Sequence, residues 1–220
     1  EFIDKVPGAR RAWADAFVRG VTRAVNEIAR HWVALAIIAS GGFVASAFAA
    51  PVLAMTGHDR LADVVYVAFR LTCHQFPHRS WFLGGRAATH DWETVRDYLG
   101  AGPGDLLAAF HNPVRDPVLG YQVAFCQRDT AVFGALFLPV PAYAVVRRFR
   151  RVDALPFRVY LLALVPVAVD GLTQIVGLRE STPLIRTVTG ALFGTATAWL
   201  VVPLVAASQC ATAGLPAGSK

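Results

Sequence analysis

The feature that most constrains the fold is a set of four long apolar blocks. They cover residues about 32–55, 121–146, 156–176 and 183–207. A helix of about 20 apolar residues spans the hydrocarbon core of a bilayer and satisfies its own backbone hydrogen bonds. Because 55% of the residues are hydrophobic and only 16% are charged, the sequence predicts an all-α integral membrane protein, a bundle of four transmembrane helices.

The connection between the first two spans, residues 57–120, is predicted to form a small external cap. An apolar segment at 61–71 is too short to span and is expected to lie at the interface or to pack as a short helix. Residues 91–99 have helical character and end at Gly100, and residues 106–110 predict one further helical turn. The cap is therefore expected to be ordered.

Residues 1–31 are predicted to be a basic amphipathic N-terminal segment. Apolar residues recur at helical spacing from Trp13 to Ile28 with arginines between them, as in a helix that lies on the cytoplasmic leaflet. A solvated lead-in to the first span is the alternative. Residues 208–220 are expected to form a cytoplasmic tail.

The net charge of +6 comes from arginines grouped at the ends of the spans, which argues against a nucleic-acid partner. The two groups are Arg10, Arg11, Arg19, Arg23 and Arg30 before the first span, and Arg147, Arg148, Arg150 and Arg151 between the second and third. By the positive-inside rule both groups are cytoplasmic. We therefore expect a multi-pass protein of a bacterial or archaeal inner membrane, with both termini cytoplasmic and the lipid bilayer as its first partner.

Small residues recur at every fourth position in two of the spans. They are Gly41, Ala45 and Ala49 in the first span, and Gly190, Gly194 and Ala198 in the fourth. Such faces let helix backbones approach closely. The spacing predicts packing within the chain or against other membrane subunits.

Polar side chains in and near the apolar blocks fall at one depth, towards the external side. This predicted polar layer consists of Gln75, Arg79, Arg128, Asp170, Gln174, Arg179, Glu180 and Arg186. Ionisable groups in a membrane need partners and mark candidate functional sites. Structural ion pairs, such as Asp170 with Arg186, are one explanation, and an arginine clamp for an anionic headgroup is another. The inner halves of the spans lack ionisable residues, so no continuous proton relay is expected.

The same residues carry a resemblance to a known family. The motifs are Cys73-His74-Gln75-x-Pro77-x-Arg79-Ser80, Cys126-x-Arg128-Asp129-Thr130, Asp170-Gly171-Leu172-Thr173-Gln174-x-x-Gly177-x-Arg179-Glu180-Ser181 and Arg186-x-x-x-Gly190. In this order, over residues about 60–205, they resemble the polytopic membrane family called domain of unknown function 2085. The resemblance implies a membrane protein and supplies no reaction. Many relatives have Glu in place of His78 and often a second Cys in place of Asp129, so His78 is a poor candidate for a shared role.

Cys73 and Cys126 allow three interpretations. Both face the oxidising side, where a disulfide would join the external connection to the second span. Alternatively, Cys73, His74, Cys126 and Asp129 supply four ligands of the types that zinc accepts, and an Asp in place of a relative's Cys keeps an anionic ligand. Ordinary buried thiols are the third interpretation. Zinc is the only cofactor that the sequence suggests.

Common enzyme motifs are missing from the sequence. It contains no Gly-x-Ser-x-Gly elbow, no phosphate-binding glycine loop and no His-Glu-x-x-His. We therefore expect a non-catalytic structural or accessory membrane protein, a subunit of a larger assembly, whose external cluster is stabilised by a metal or a disulfide. The alternative is a membrane enzyme or transporter that uses the cluster on a lipid headgroup, a quinone or a metal ion.

Overall fold

A computed structural model describes residues 8–102, 105–110 and 112–212. Its helices are α1 (Gly8–Met55), α2 (Asp59–Phe69), α3 (Trp92–Leu99), α4 (Leu106–Ala109), α5 (Gln127–Phe137), α6 (Pro139–Val146), α7 (Phe157–Ile175) and α8 (Pro183–Thr212). Its strands are β1 (Ser80–Leu83), β2 (Arg115–Asp116) and β3 (Gly120–Cys126). The chain is therefore mostly helical, as predicted, with a small sheet that the sequence did not reveal.

Four helical segments of the described chain are long and apolar enough to cross a membrane. They are Ala12–Met55, Gln127–Val146, Phe157–Ile175 and Pro183–Gln209. Most of their apolar side chains face outward rather than into the protein, as expected for helices whose outer surface contacts lipid. The predicted four-span membrane fold is confirmed.

The predicted start of the second span, at residue 121, is wrong. Residues 120–126 form β3, which lies between β1 and β2 in an antiparallel sheet, and the helix begins at Gln127. Gly120, the first residue of β3, has a φ of 101°, a conformation that favours glycine. A short apolar run fits a buried strand as well as a helix, so periodicity alone could not separate them here.

The N-terminal segment is helical, as expected, and it joins the first span in one continuous helix, α1. No break separates residue 31 from residue 32, so the structure does not show a separate helix that turns onto the leaflet. At 1.5 Å per residue, the part from residue 8 to residue 31 extends about 36 Å. Residues 1–7, and residues 213–220 of the expected tail, lie outside the described residues.

Helix α8 packs against α5, α6 and α7, and its small residues bring it close to α5. A Cβ atom at Gly190 would lie 2.7 Å from the backbone oxygen of Arg128, and one at Gly194 would meet the backbone oxygen of Val132. In α1, a Cβ atom at Gly41 would lie 2.9 Å from the ring of Phe137 in α5. These small-residue positions therefore serve packing within the chain.

The cap has its own buried core, which rests on the C-terminal part of α1. Phe69 and Phe125 pack edge to face with ring centroids 4.6 Å apart, and Phe43 of α1 contacts both rings. The predicted short helices at 61–71, 91–99 and 106–110 are present as α2, α3 and α4. Asp91 caps α3 by accepting a hydrogen bond from the backbone N–H of Thr94. The cap is thus packed onto the bundle.

Candidate functional site

The junction between β3 and α5 carries most of the candidate site, because four consecutive polar residues, 126–129, pass from the cap into the membrane bundle. Cys126 is the last residue of β3 and the N-cap of α5, with its sulfur accepting from the backbone N–H of Asp129. Gln127 and Arg128 form the first turn of α5. Side chains from α7, α8 and the cap converge on this turn.

The buried carboxylate of Asp170 in α7 is paired with two arginines. Its side chain is only 2% exposed, and it accepts hydrogen bonds from Arg128 of α5 and, at 2.8 Å, from Arg179. Thr189 of α8 donates to the same carboxylate at 3.5 Å. The predicted pairing of Asp170 with Arg186 is therefore wrong, because the bundle turns Asp170 towards α5 and the α7–α8 connection.

Glu180, in the α7–α8 connection, is the second carboxylate, and it joins the cap to α8. Arg79 of the cap donates to its Oε1 from Nε and Nη2 at 3.1 and 3.0 Å. Arg186 of α8 donates to the same oxygen at 3.2 Å. Burial raises the pKa of Glu180, but the charge and hydrogen bond of Arg79, together with the charge of Arg186, outweigh it and hold the pKa below its usual value. Glu180 is thus a stable anion.

Two glutamines complete this network by bonding to Arg186, whose side chain is only 4% exposed. Arg186 donates to Gln127 at 3.2 Å and to Gln174 at 3.5 Å. Gln127 in turn donates to the backbone oxygen of Ser80 in β1 at 3.0 Å. We call the set Arg79, Arg128, Asp170, Gln174, Arg179, Glu180, Arg186 and Gln127 the polar network. It connects the cap to α5, α7 and α8.

Gln75 belongs to the cap rather than to the polar network. It is fully buried with a φ of 54°, and its side chain donates to the backbone oxygen of Tyr66 at 2.8 Å. Gln122 of β3 donates to the backbone oxygen of Gln75 at 2.7 Å and to Ser80 Oγ at 3.1 Å. Gln122 and Gln127 were not among the predicted site residues. Their position as glutamines inside an apolar run could have indicated them.

His78 lies buried beside the polar network. Its Nε2 is 3.5 Å from Glu180 and accepts a hydrogen bond from Arg79 Nε at 3.1 Å. Burial and then the neighbouring charge of Arg79 lower the pKa of His78 to about 4, against the smaller opposing effect of Glu180. His78 is therefore neutral at physiological pH and acts as a hydrogen-bond acceptor.

Three of the four predicted metal ligands lie together. Sγ of Cys73, Sγ of Cys126 and a carboxylate oxygen of Asp129 all lie within 4.8 Å of one another, and both cysteines are free. We call these residues the thiol–carboxylate cluster. The structure does not bring His74 to it, since this side chain is exposed and stacks on the ring of Phe76 with centroids 6.0 Å apart.

Backbone groups hold the two sulfurs in place. Cys73 Sγ accepts from the backbone N–H groups of Gln75 and Cys126 at 3.4 and 3.3 Å, and Cys126 Sγ accepts from that of Asp129 at 3.4 Å. The hydrogen bond with the side chain of Cys126, followed by burial, raises the pKa of the Cys73 thiol. A bound cation would offset this effect, because coordination deprotonates a thiol.

The donor set of the cluster fits zinc. Thiolate and carboxylate are ligands that zinc accepts, and two sulfurs on one tetrahedral zinc lie about 3.8 Å apart, given Zn–S bonds of about 2.3 Å. The observed spacing within 4.8 Å needs only small side-chain movements to match this. The N–H···S hydrogen bonds are the kind of outer-shell contact that orients metal ligands.

Comparisons with known proteins agree with the membrane fold. Residues 117–200 match the family described as predicted membrane protein, DUF2085. The uncharacterized protein MJ1492 of Methanocaldococcus jannaschii is 26% identical over 168 residues, which cover 74% of this chain and 85% of that protein. No solved structure matches the chain. The motif that begins at Cys73 precedes the matched residues, and the predicted resemblance to the DUF2085 family of membrane proteins is confirmed over residues 117–200.

Proposed function

We propose that this chain is a non-catalytic structural or accessory protein of the membrane, whose polar network closes one end of the bundle. The observation that carries the proposal is the double pairing of Asp170 by Arg128 and Arg179. A carboxylate that takes part in proton transfer needs an accessible, titratable position, whereas two guanidinium groups keep Asp170 ionised and buried. The pairs of Glu180 with Arg79 and Arg186 extend the same arrangement into the cap.

The thiol–carboxylate cluster supports a second part of the proposal, a zinc ion that joins the cap to the bundle. Cys73 follows α2 of the cap, whereas Cys126 and Asp129 lie at the start of α5. An ion held by all three would fix the cap against α5. A disulfide between Cys73 and Cys126 would connect the same two parts and is the alternative.

Localisation and partners are part of the proposal as well. We propose that the protein lies in the inner membrane. The arginines at 147, 148, 150 and 151 support an orientation in which both termini are cytoplasmic. Because Gly190 and Gly194 already pack against α5, other membrane subunits would contact outward apolar faces instead. The exposed side of α7, with Leu162 at 70% exposure, is such a face.

One observation favours a second candidate function, a membrane enzyme or transporter acting on a lipid headgroup, a quinone or a metal ion. The thiol–carboxylate cluster supplies three ligands, because His74 lies apart. Structural zinc sites use four protein ligands, whereas catalytic sites use three and leave a position for water or substrate. A three-ligand zinc would therefore suit chemistry at this site.

The test combines metal analysis with thiol counting on the purified protein. Near-stoichiometric zinc that is lost in Cys126→Ala and retained in a Ser46→Ala control supports the zinc site. Two thiols that react only after reduction, with no zinc, would overturn it in favour of the disulfide. Cobalt substitution then separates the two functions: a spectrum unchanged by added azide indicates a closed structural site, and a shifted spectrum would support the enzyme or transporter.

A further inference from the structure

A groove of about 580 Å³ opens at the other end of the bundle, far from the polar network. It lies between α6, α8 and the connection that follows α6, and Trp199 and Val202 of α8 form one wall. Trp199 comes 13 residues after Arg186 in α8, which is about 20 Å along a helix. The volume is within the range of about 300–1,000 Å³ that small-molecule sites occupy.

Aromatic residues place the groove at the boundary between acyl chains and headgroups. Tyr143 and Trp199 line it, and Trp32 and Tyr143 pack around the small core of Val33, Val140 and Val202. Tyr and Trp concentrate at membrane–water interfaces. The groove therefore lies where a phospholipid changes from apolar chain to charged headgroup.

The connection that forms the mouth of the groove is bound to α8. Trp199 donates from its indole Nε1 to the backbone oxygen of Asp153 at 3.1 Å. The backbone N–H of Leu155 donates to the backbone oxygen of Trp199 at 3.3 Å. These two bonds hold residues 153–155 against α8.

Among the residues that line the groove, positive charges outnumber negative ones. Arg150 and Arg151 line it, and Asp153 is the one carboxylate among its lining residues in the described part of the chain. Basic pockets between membrane helices are suited to anionic lipid headgroups. The groove thus combines apolar walls with a cationic mouth.

We infer that this groove binds an anionic phospholipid, with one acyl chain along Tyr143, Trp199 and Val202 and the phosphate against Arg150 and Arg151. A soluble anion would gain nothing from the apolar walls. A zwitterionic lipid would gain little from the two arginines. The inference is independent of the polar network and of the function proposed for it.

The test uses quenching of Trp199 by brominated lipids in phosphatidylcholine nanodiscs. The Trp199 signal is the difference in fluorescence between the wild-type protein and Trp199→Phe. Brominated phosphatidylglycerol should quench it at about thirtyfold lower mole fraction than brominated phosphatidylcholine, since each arginine near an anionic headgroup contributes about a factor of five. Equal quenching by the two lipids would overturn the inference.

Two sets of variants separate a site from general surface charge. The double variant Arg150→Gln/Arg151→Gln should lose the preference, whereas Arg148→Gln/Arg158→Gln, outside the lining, should keep it. Equal losses in both would overturn the inference. Ala142→Phe fills the groove with all arginines intact and should reduce quenching by phosphatidylglycerol; unchanged quenching would contradict the assigned acyl position. Competition by glycerol phosphate would indicate a soluble anion and likewise overturn the lipid assignment.

Discussion

Gly190 of α8 lies against the backbone oxygen of Arg128 in α5, so closely that a Cβ atom at residue 190 would be 2.7 Å from that oxygen. Arg128 also pairs with Asp170 of α7. The small residue on α8 and the ion pair between α5 and α7 therefore meet at one residue. The close packing of α8 on α5 and the ion pair with α7 therefore both involve Arg128.

Gly190→Ala should destabilise the bundle, because the added methyl group must push α8 away from α5. Overpacking of this kind costs about 1–3 kcal/mol, and we expect a lower melting temperature by circular dichroism in mild detergent. Gly42→Ala in α1 is the matched control, since a Cβ atom there meets nothing within 4 Å and alanine favours a helix. A Gly190→Ala protein as stable as Gly42→Ala would show that the two helices do not pack so closely.

Asp170→Asn should destabilise the protein by about 3 kcal/mol, because it leaves Arg128 and Arg179 without their carboxylate while keeping the side-chain shape. The melting temperature is again the measurement. Asp97→Asn provides the control: Asp97 pairs with Arg96 on the surface of the cap, and an exposed pair contributes little. If both variants melt like the wild-type protein, the polar network does not hold the bundle together.

The sequence predicts the long apolar helices of this fold better than its short elements. The third span, predicted at 156–176, is helix α7 at Phe157–Ile175. A long apolar run in a membrane forms a spanning helix, so its sequence is easy to interpret. Six of the seven residues of β3, from 121 to 126, belonged to the predicted second span, since strand and buried helix look alike in short apolar runs. Pairing with β1 and β2 decides the strand, and such long-range pairing is not visible in local sequence.

The polar network shows the same limit. The sequence predicted which charged residues lie at one depth. It did not predict that Asp170 forms its ion pairs with Arg128 and Arg179 rather than with Arg186. The ion-pair partners of Asp170 depend on the rotation of α7 about its axis and on the turn that follows it. Likewise, the proximity of His74 to Cys73 in sequence suggested a shared ligand role, whereas the backbone turns the His74 side chain out to Phe76.

Asp129→Asn and His74→Ala should differ sharply in zinc affinity. Asp129 lies within the thiol–carboxylate cluster and His74 does not, so we expect the asparagine variant to bind zinc more than about a hundredfold more weakly, beyond the 10–100-fold effect typical of outer-shell residues. His74→Ala should match the wild-type protein. Competition with a chromophoric chelator gives both constants. Weaker zinc binding in His74→Ala would mean that His74 moves to complete the site.

Acid should destabilise the protein through His78. Its pKa is lowered to about 4 in the folded protein, whereas an unfolded histidine titrates near about 6.5. Between these values the unfolded chain binds more protons than the folded protein, so stability rises with pH and is lost as the pH falls below about 6.5. We expect a loss of about 2 kcal/mol from about pH 7 to about pH 5.

His78→Gln removes this titration and keeps a neutral hydrogen-bonding side chain, so its melting temperature should change much less over the same interval. His58→Gln, at an exposed histidine, should retain the wild-type dependence. Glu180 also has a lowered pKa, so its contribution begins to be lost only as the pH falls through the ordinary Glu value of about 4.3. Measuring above about pH 5 therefore isolates His78. If His78→Gln and the wild-type protein lose stability equally, another group controls the acid response.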